Sequence, residues 1–247
     1  MEGAWYARGG SKTRELYTII HLPYTSMVLS YVLIGAAISP SIYPQRVGLT
    51  LLAYFLGLGL SAHALNEIHA KHWGSALSKH ELRIIFFLPL TGALAIGAYG
   101  MYVLHDHSSG GLVAPLVLLV FIVLETFFLF AYNTELSSGK FHSDLAFAFS
   151  WGALPAITSY YVNAVTITLA AILVTLGLAT TAGIEINLSR WCKDFRRRNS
   201  LSEIRFEDNS RLNLTTAELI AKPETALVLI VAAVDLLAVG LIFVRVF

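Results

Sequence analysis

The sequence predicts an all-α polytopic membrane bundle of about seven transmembrane helices, and three observations carry that prediction. Apolar residues fill 56% of the 247 positions and charged residues 13%, roughly half the charged share of a soluble domain. Mean hydropathy is +0.66, more apolar surface than a water-soluble monomer of this size can bury. The apolar residues gather into seven runs, each near the ~20 residues that cross a bilayer core as helix. Lysine and arginine, finally, are confined almost entirely to alternate loops.

The runs are Leu16–Ile38, Val47–His69, Ile84–Leu104, Leu112–Ala131, Leu145–Val162, Ala164–Leu188 and Thr225–Val244. They are apolar all round, so they are not the one-sided helices of a soluble core. Nor do they alternate every second residue, as barrel strands do. Gly57, Gly59, Gly92, Gly97, Gly100, Gly152 and Gly183 recur within them, which suits close helix packing in lipid.

Orientation follows from the basic residues. Arg8, Lys12 and Arg14 precede the first run; Lys71, Lys79 and Arg83 follow the second; Lys140 follows the fourth. Arg190, Lys193, Arg196, Arg197, Arg198, Arg205, Arg211 and Lys222 follow the sixth, so 15 of 17 fall on one side. The expectation is a multi-pass protein of the cell membrane with its N-terminus cytoplasmic and its C-terminus outside. A cysteine placed at Ser109 should then react with an impermeant thiol reagent added outside, and one at Ser202 only from the cytoplasmic side. The reverse pattern would overturn the orientation, and same-side labelling would overturn the odd number of crossings between the two positions. No cleavable signal is expected ahead of the first run.

Net charge is +1, which makes a general nucleic-acid binder unexpected. The single cysteine, Cys192, excludes an internal disulfide and a cysteine-rich metal centre. The one sizeable soluble piece, Ser189–Pro223, opens on a basic cluster suited to anionic headgroups. Alternating apolar residues around Asp208-Asn209-Ser210 predict a short β-hairpin. Thr215 and Glu218 fit a capping box for a short helix leading to Pro223.

Polar side chains at membrane depth are functional candidates. The densest group is His63, Asn66, Glu67, His69, Lys71 and His72, where the second run ends. One helical turn joins His63, Asn66 and Glu67, and Glu67 and Lys71 are spaced i,i+4. Glu125 and Asp235 lie mid-run, each suited either to bonding a neighbouring helix or to a proton or ligand path. The eight histidines leave a metal or haem site as a further alternative. No phosphate-cradling glycine loop, zincin helix or nucleophile elbow is present.

The stretch Leu16–Gly35, with His21-Leu22-Pro23-Tyr24-Thr25, is followed by Ser61-Ala62-His63-Ala64-Leu65-Asn66-Glu67 at the end of the second run. Gly74–Leu82 then carries Ser78 and Glu81; Tyr132 precedes a short polar loop reaching Lys140, and Trp151-Gly152-Ala153-Leu154-Pro155 follows. Over about residues 16–190 this order resembles the UbiA-type intramembrane prenyltransferases. The resemblance implies a helical bundle around a central cavity open to lipid. It implies Mg²⁺ held on a prenyl diphosphate by acidic motifs, a grip by lysine, arginine and tyrosine, and attack of an acceptor on an allylic cation. Carried over residue by residue, Asn66 and Glu67 take the catalytic and metal positions, with Glu185 in the second motif. Lys71, Lys79, Arg83, Tyr132, Lys140, His63 and His21 take the substrate-binding positions. The acids are fewer than the family's pattern: Ala70 and Gly74 stand where further aspartates would be, and Gly183–Arg190 has one acid and one amide. The family usually has nine helices against seven runs here.

Three functions are therefore expected in turn: transfer of a polyprenyl group to a membrane-associated acceptor, non-catalytic binding of an isoprenoid, quinone or other lipid as a membrane subunit of a larger complex, and a histidine-ligated metal or haem protein. The cytoplasmic ends of the second, fourth and sixth runs should converge and bring Asn66, Glu67, Tyr132 and Glu185 around one polar opening.

Overall fold

The structure, a computed structural model, describes residues 11–69, 77–107, 111–198, 202–205, 207–208 and 211–246. The chain is α1 (Lys12–Ile19), α2 (Leu22–Ala37), α3 (Pro44–His69), α4 (Lys79–His107), α5 (Val113–Asn133), α6 (residues 144–164), α7 (Leu169–Arg198) and α8 (Thr216–Val246). Between α7 and α8, β1 (Ser202–Arg205) and β2 (Arg211–Leu214) pair antiparallel, with Ile204 opposite Leu212. Six helical stretches of the described chain are long and apolar enough to cross a membrane.

The remaining expected run, residues 145–162, is also one unbroken helix, α6, but it is more polar, carrying Ser150, Thr158, Ser159, Tyr160, Tyr161 and Asn163. Its neighbours explain that composition. Most of α6 is buried inside protein, packed between α2 and α7, so its polar atoms meet helices and not lipid. Its Asn163 side-chain Oδ1 accepts from the Tyr43 backbone N–H, and its Tyr161 hydroxyl donates to Ala114 O of α5.

The first expected run is broken. The helix stops after Ile19, His21 takes a left-handed conformation (φ 44°), and Pro23 sits in the first turn of α2. Proline has no N–H to continue the preceding helix but tolerates a first turn well. α1 therefore stands apart and is tied to the start of α4: Lys12 Nζ lies 2.7 Å from Glu81 Oε1, and Glu15 accepts from the Leu77 amide. The expected short helix before Pro223 also differs. The Thr215–Glu218 capping box forms, but the helix runs through Pro223 without stopping and continues to Val246.

α2 is the core of the bundle. Met27, Tyr31, Val32 and Ala36 are fully buried, with α6 and α8 packed on α2 and α7 packed on α8. Glycine makes the closest contacts possible. A Cβ on Gly35 would stand 2.1 Å from Ala156 O, and one on Gly152 would stand 2.8 Å from Ala179 Cα. The outward faces of α4 and α8 show Phe87, Leu88, Leu229, Leu236 and Val244, as helices facing hydrocarbon should.

Two helices contain π-helical segments, Phe55–Ala62 in α3 and Ala148–Ala153 in α6. Such wide turns rotate the residues that follow and recur at functional sites. Here one ends directly before His63 and the other contains Trp151.

Candidate functional site

The two π segments bring a continuous wall of rings together at one end of the bundle, the end where α1, Lys79, Arg83, Lys140 and Arg190 lie. His21 and His63 stack at 4.3 Å with planes 13° apart. His63 then meets Trp151 at 5.1 Å, and Trp151 stacks on Phe147 at 5.2 Å and 9°. Phe147 touches Tyr132 at 5.7 Å, and Tyr132 stacks on His142 at 4.4 Å. Tyr24 presents its ring at a steep angle to Phe147 and Trp151, and its hydroxyl donates to Ser189 Oγ. Rings from α2, α3, α5, α6 and the loop before α6 thus form one connected cluster, in which His63, Tyr132, Phe147 and Trp151 are buried and His21, Tyr24 and His142 are half-buried.

Arg190 closes the wall. Its Nη1 lies 2.7 Å from Asp144 Oδ1, and its Nη2 donates to the Tyr132 hydroxyl and to His142 O. A planar guanidinium can hold three partners in this way, where a lysine would satisfy fewer of them. His142 Nδ1 bonds Tyr132 O, so the loop from α5 is folded back onto the helix it leaves. That loop turns through left-handed residues at Glu135, Ser137, Ser138 and Gly139.

His63 is 6% exposed, and its Nε2 has no hydrogen-bond partner among the described residues. A buried ring nitrogen without a partner costs stability, and it can bond a ligand in this setting.

The sequence-predicted residues divide between this wall and its surroundings. His21, His63 and Tyr132 are in the wall. Asn66 and Glu67 follow His63 by about one turn and are half-buried at the bundle edge, where Lys193 of α7 is a charged neighbour of Glu67. Lys79, Arg83 and Lys140 are exposed at the same end. Lys71 lies outside the described residues, as does His72. Glu185 is deeper, 3% exposed, and its charged neighbour is Asp235 of α8, with the buried Tyr31 of α2 beside both. Asp235 in turn accepts from Ser30 Oγ at 2.6 Å, so this acid ties α8 to α2.

Mg²⁺ prefers octahedral oxygen coordination. Among the described residues no group of three or more histidine, cysteine, aspartate or glutamate side chains comes together. Glu67 and Glu185 sit in different surroundings, the first beside Lys193 and the second beside Asp235. The described donors do not form the acidic clamp that a diphosphate-bound Mg²⁺ requires.

Sequence reasoning passed over Arg190, Asp144, His142 and Phe147 as site residues. Arg190 sat within a run of cations that read as headgroup contacts. Asp144 and His142 lay in a loop whose fold depends on the left-handed turn. A lone acid two residues after a histidine, ahead of an aromatic-rich helix, was the available signal.

Comparison with known protein families, curated proteins and solved structures finds no match to this chain.

Proposed function

We propose that this chain is a seven-span membrane protein, N-terminus cytoplasmic, that binds an isoprenoid lipid with an anionic head at the cytoplasmic end of its bundle. The ring wall from His21 to His142 is the observation that carries this reading. Stacked and edge-on rings give a rigid apolar surface for a branched, unsaturated chain. Arg190 at one end of the wall, with the exposed Lys79, Arg83 and Lys140 nearby, supplies positive charge for a phosphate-type head. α6 is counted as the seventh span because most of its side chains are buried among the other helices and away from lipid, and the basic loops orient it.

Binding does not require a metal in this reading, because the described acids are too dispersed to hold one. Prenyl transfer is the second reading. The same rings would stabilise an allylic cation through their faces, and the order of features resembles the UbiA-type enzymes.

The test is the lipid that purifies with the full-length protein, identified by mass spectrometry. An isoprenoid should be retained by the wild type and lost from Trp151→Ala, whose cavity removes the centre of the wall. Retention of phospholipid alone, or an isoprenoid equally abundant in Trp151→Ala, would refute the site. Release of inorganic diphosphate from a supplied prenyl diphosphate and acceptor would favour the second reading.

A further inference from the structure

A cavity of about 750 Å³, partly open at the surface of the bundle, is lined by α3, α4, α5 and α6. Its volume is in the range that holds a small organic molecule. Tyr43 and Arg46 line the shallow end, at the start of α3; Tyr54, Glu125 and Thr158 form the deep polar end, with the apolar Leu58, Leu90 and Leu129 just beyond them. Eight residues of helix separate Arg46 from Tyr54, a rise of ~12 Å. The second end is therefore near the middle of the membrane.

The polar groups at the two ends differ in one respect that decides the orientation of a ligand. At the shallow end Arg46 is already engaged: Nη1 donates to Val162 O at 2.8 Å, and the guanidinium lies 4.4 Å from the centre of the Tyr43 ring. At the deep end Tyr54 donates to Glu125 Oε1 at 2.6 Å. Glu125 Oε2 is buried and has no hydrogen-bond partner among the described residues. The rest of the lining is mainly apolar, with Ile122 beside Gly97 and Ala93 beside Gly57, about one turn past Tyr54. A carboxyl oxygen left unbonded at this depth is costly, so the deep end calls for a ligand bearing a hydrogen-bonding head.

We infer that this cavity is a second lipid site, distinct from the ring wall, that takes a neutral molecule with one hydroxyl head on an apolar body, head inward against Glu125 Oε2. A phosphate or carboxylate head would meet Glu125 with no cation lining the deep end, because the one arginine in the lining is at the shallow end. An ammonium head would have to leave water entirely to reach it. A hydroxyl costs least to bring in, and it can donate to a carboxylate or accept from a neutral acid.

The test is equilibrium binding to the full-length protein in nanodiscs, with farnesol, palmitate and dodecylamine as probes. Farnesol should bind in preference to the other two. Glu125→Leu should weaken it about tenfold, Glu125→Gln by no more than about threefold, since the amide still bonds the hydroxyl. Ala93→Phe, which fills apolar space beside Gly57, should abolish binding, and Gly177→Ala, outside the lining, should leave it unchanged. Glu125→Leu also removes the acceptor of the Tyr54 hydroxyl, which Glu125→Gln keeps, so thermal melts of both variants accompany the comparison, and the Leu/Gln difference in folded protein decides the matter even where Ala93→Phe is unstable. Palmitate binding that depends on Arg46 would reverse the orientation and overturn the inference. Preferred binding of dodecylamine, binding indifferent to Glu125→Leu, or no farnesol binding would each overturn it as well. Farnesol binding that is lost in Trp151→Ala but indifferent to Glu125→Leu would place the probe on the ring wall and overturn the inference.

Discussion

Gly35→Ala should leave little or no folded protein. The added methyl would stand 2.1 Å from Ala156 O, a backbone atom of the buried α6 that cannot rotate aside. α2 and α6 would have to separate along the centre of the bundle, where Met27, Tyr31 and Val32 are fully buried. The cost should reach or exceed the ~3 kcal/mol upper end of ordinary overpacking. Size-exclusion profiles and thermal melts in detergent would measure it. Gly177→Ala is the matched control: a Cβ there meets nothing within 4 Å, and alanine gains up to about 1 kcal/mol of helix preference over glycine. A normal profile for Gly35→Ala would mean that α2 and α6 do not approach as described.

Arg190→Ala should be the most damaging change in the ring wall. It removes the cation 2.7 Å from Asp144 and the donor to both the Tyr132 hydroxyl and His142 O. Arg190 and Asp144 are partly exposed, so solvent offsets much of the ion pair; a stability loss of about 1–2 kcal/mol is expected. The effect on ligand should be larger, because the loop carrying His142 would lose its anchor and the head its nearest guanidinium. Retention of the isoprenoid should fall about tenfold or more. Arg190→Lys should recover charge but not the three-way grip, giving an intermediate loss. Equal retention in wild type, Arg190→Ala and Arg190→Lys would remove Arg190 from the site.

The membrane bundle was legible because lipid imposes a coarse rule. Every crossing needs ~20 apolar residues as helix, and hydropathy reads that directly. The rule misleads only where protein replaces lipid. At α6 the environment is other helices, so Ser150, Ser159 and Asn163 are buried polar residues within a run of borderline hydropathy. The break at His21 was visible as a proline two residues on, but the left-handed turn there and the tie that places α1 beside α4, Lys12 to Glu81, were not. Glu125 and Asp235 were legible as candidates for bonds to neighbouring helices, but not their partners Tyr54 and Ser30. Those pairs join residues 71 and 205 positions apart, beyond any spacing rule.

The ring wall shows the same division. His21, His63 and Tyr132 stood out singly. Their joining through Trp151 and Phe147 depends on the π segment of α6, which no propensity announces. Glu185 occupies a motif position by order along the chain, while the fold directs it to Asp235 and Tyr31. Order in sequence and convergence in space are separate conditions, and a metal clamp needs both.

Binding of geranylgeranyl diphosphate to the full-length protein in nanodiscs, titrated with Mg²⁺ and again with EDTA, tests the central claim most directly. The account predicts binding in both conditions, differing by no more than about threefold, since ring stacking and Arg190 carry the affinity without a metal. Glu67→Gln should bind like the wild type in both. Binding that appears only with Mg²⁺ and disappears in Glu67→Gln would contradict the account and establish a metal-held diphosphate instead.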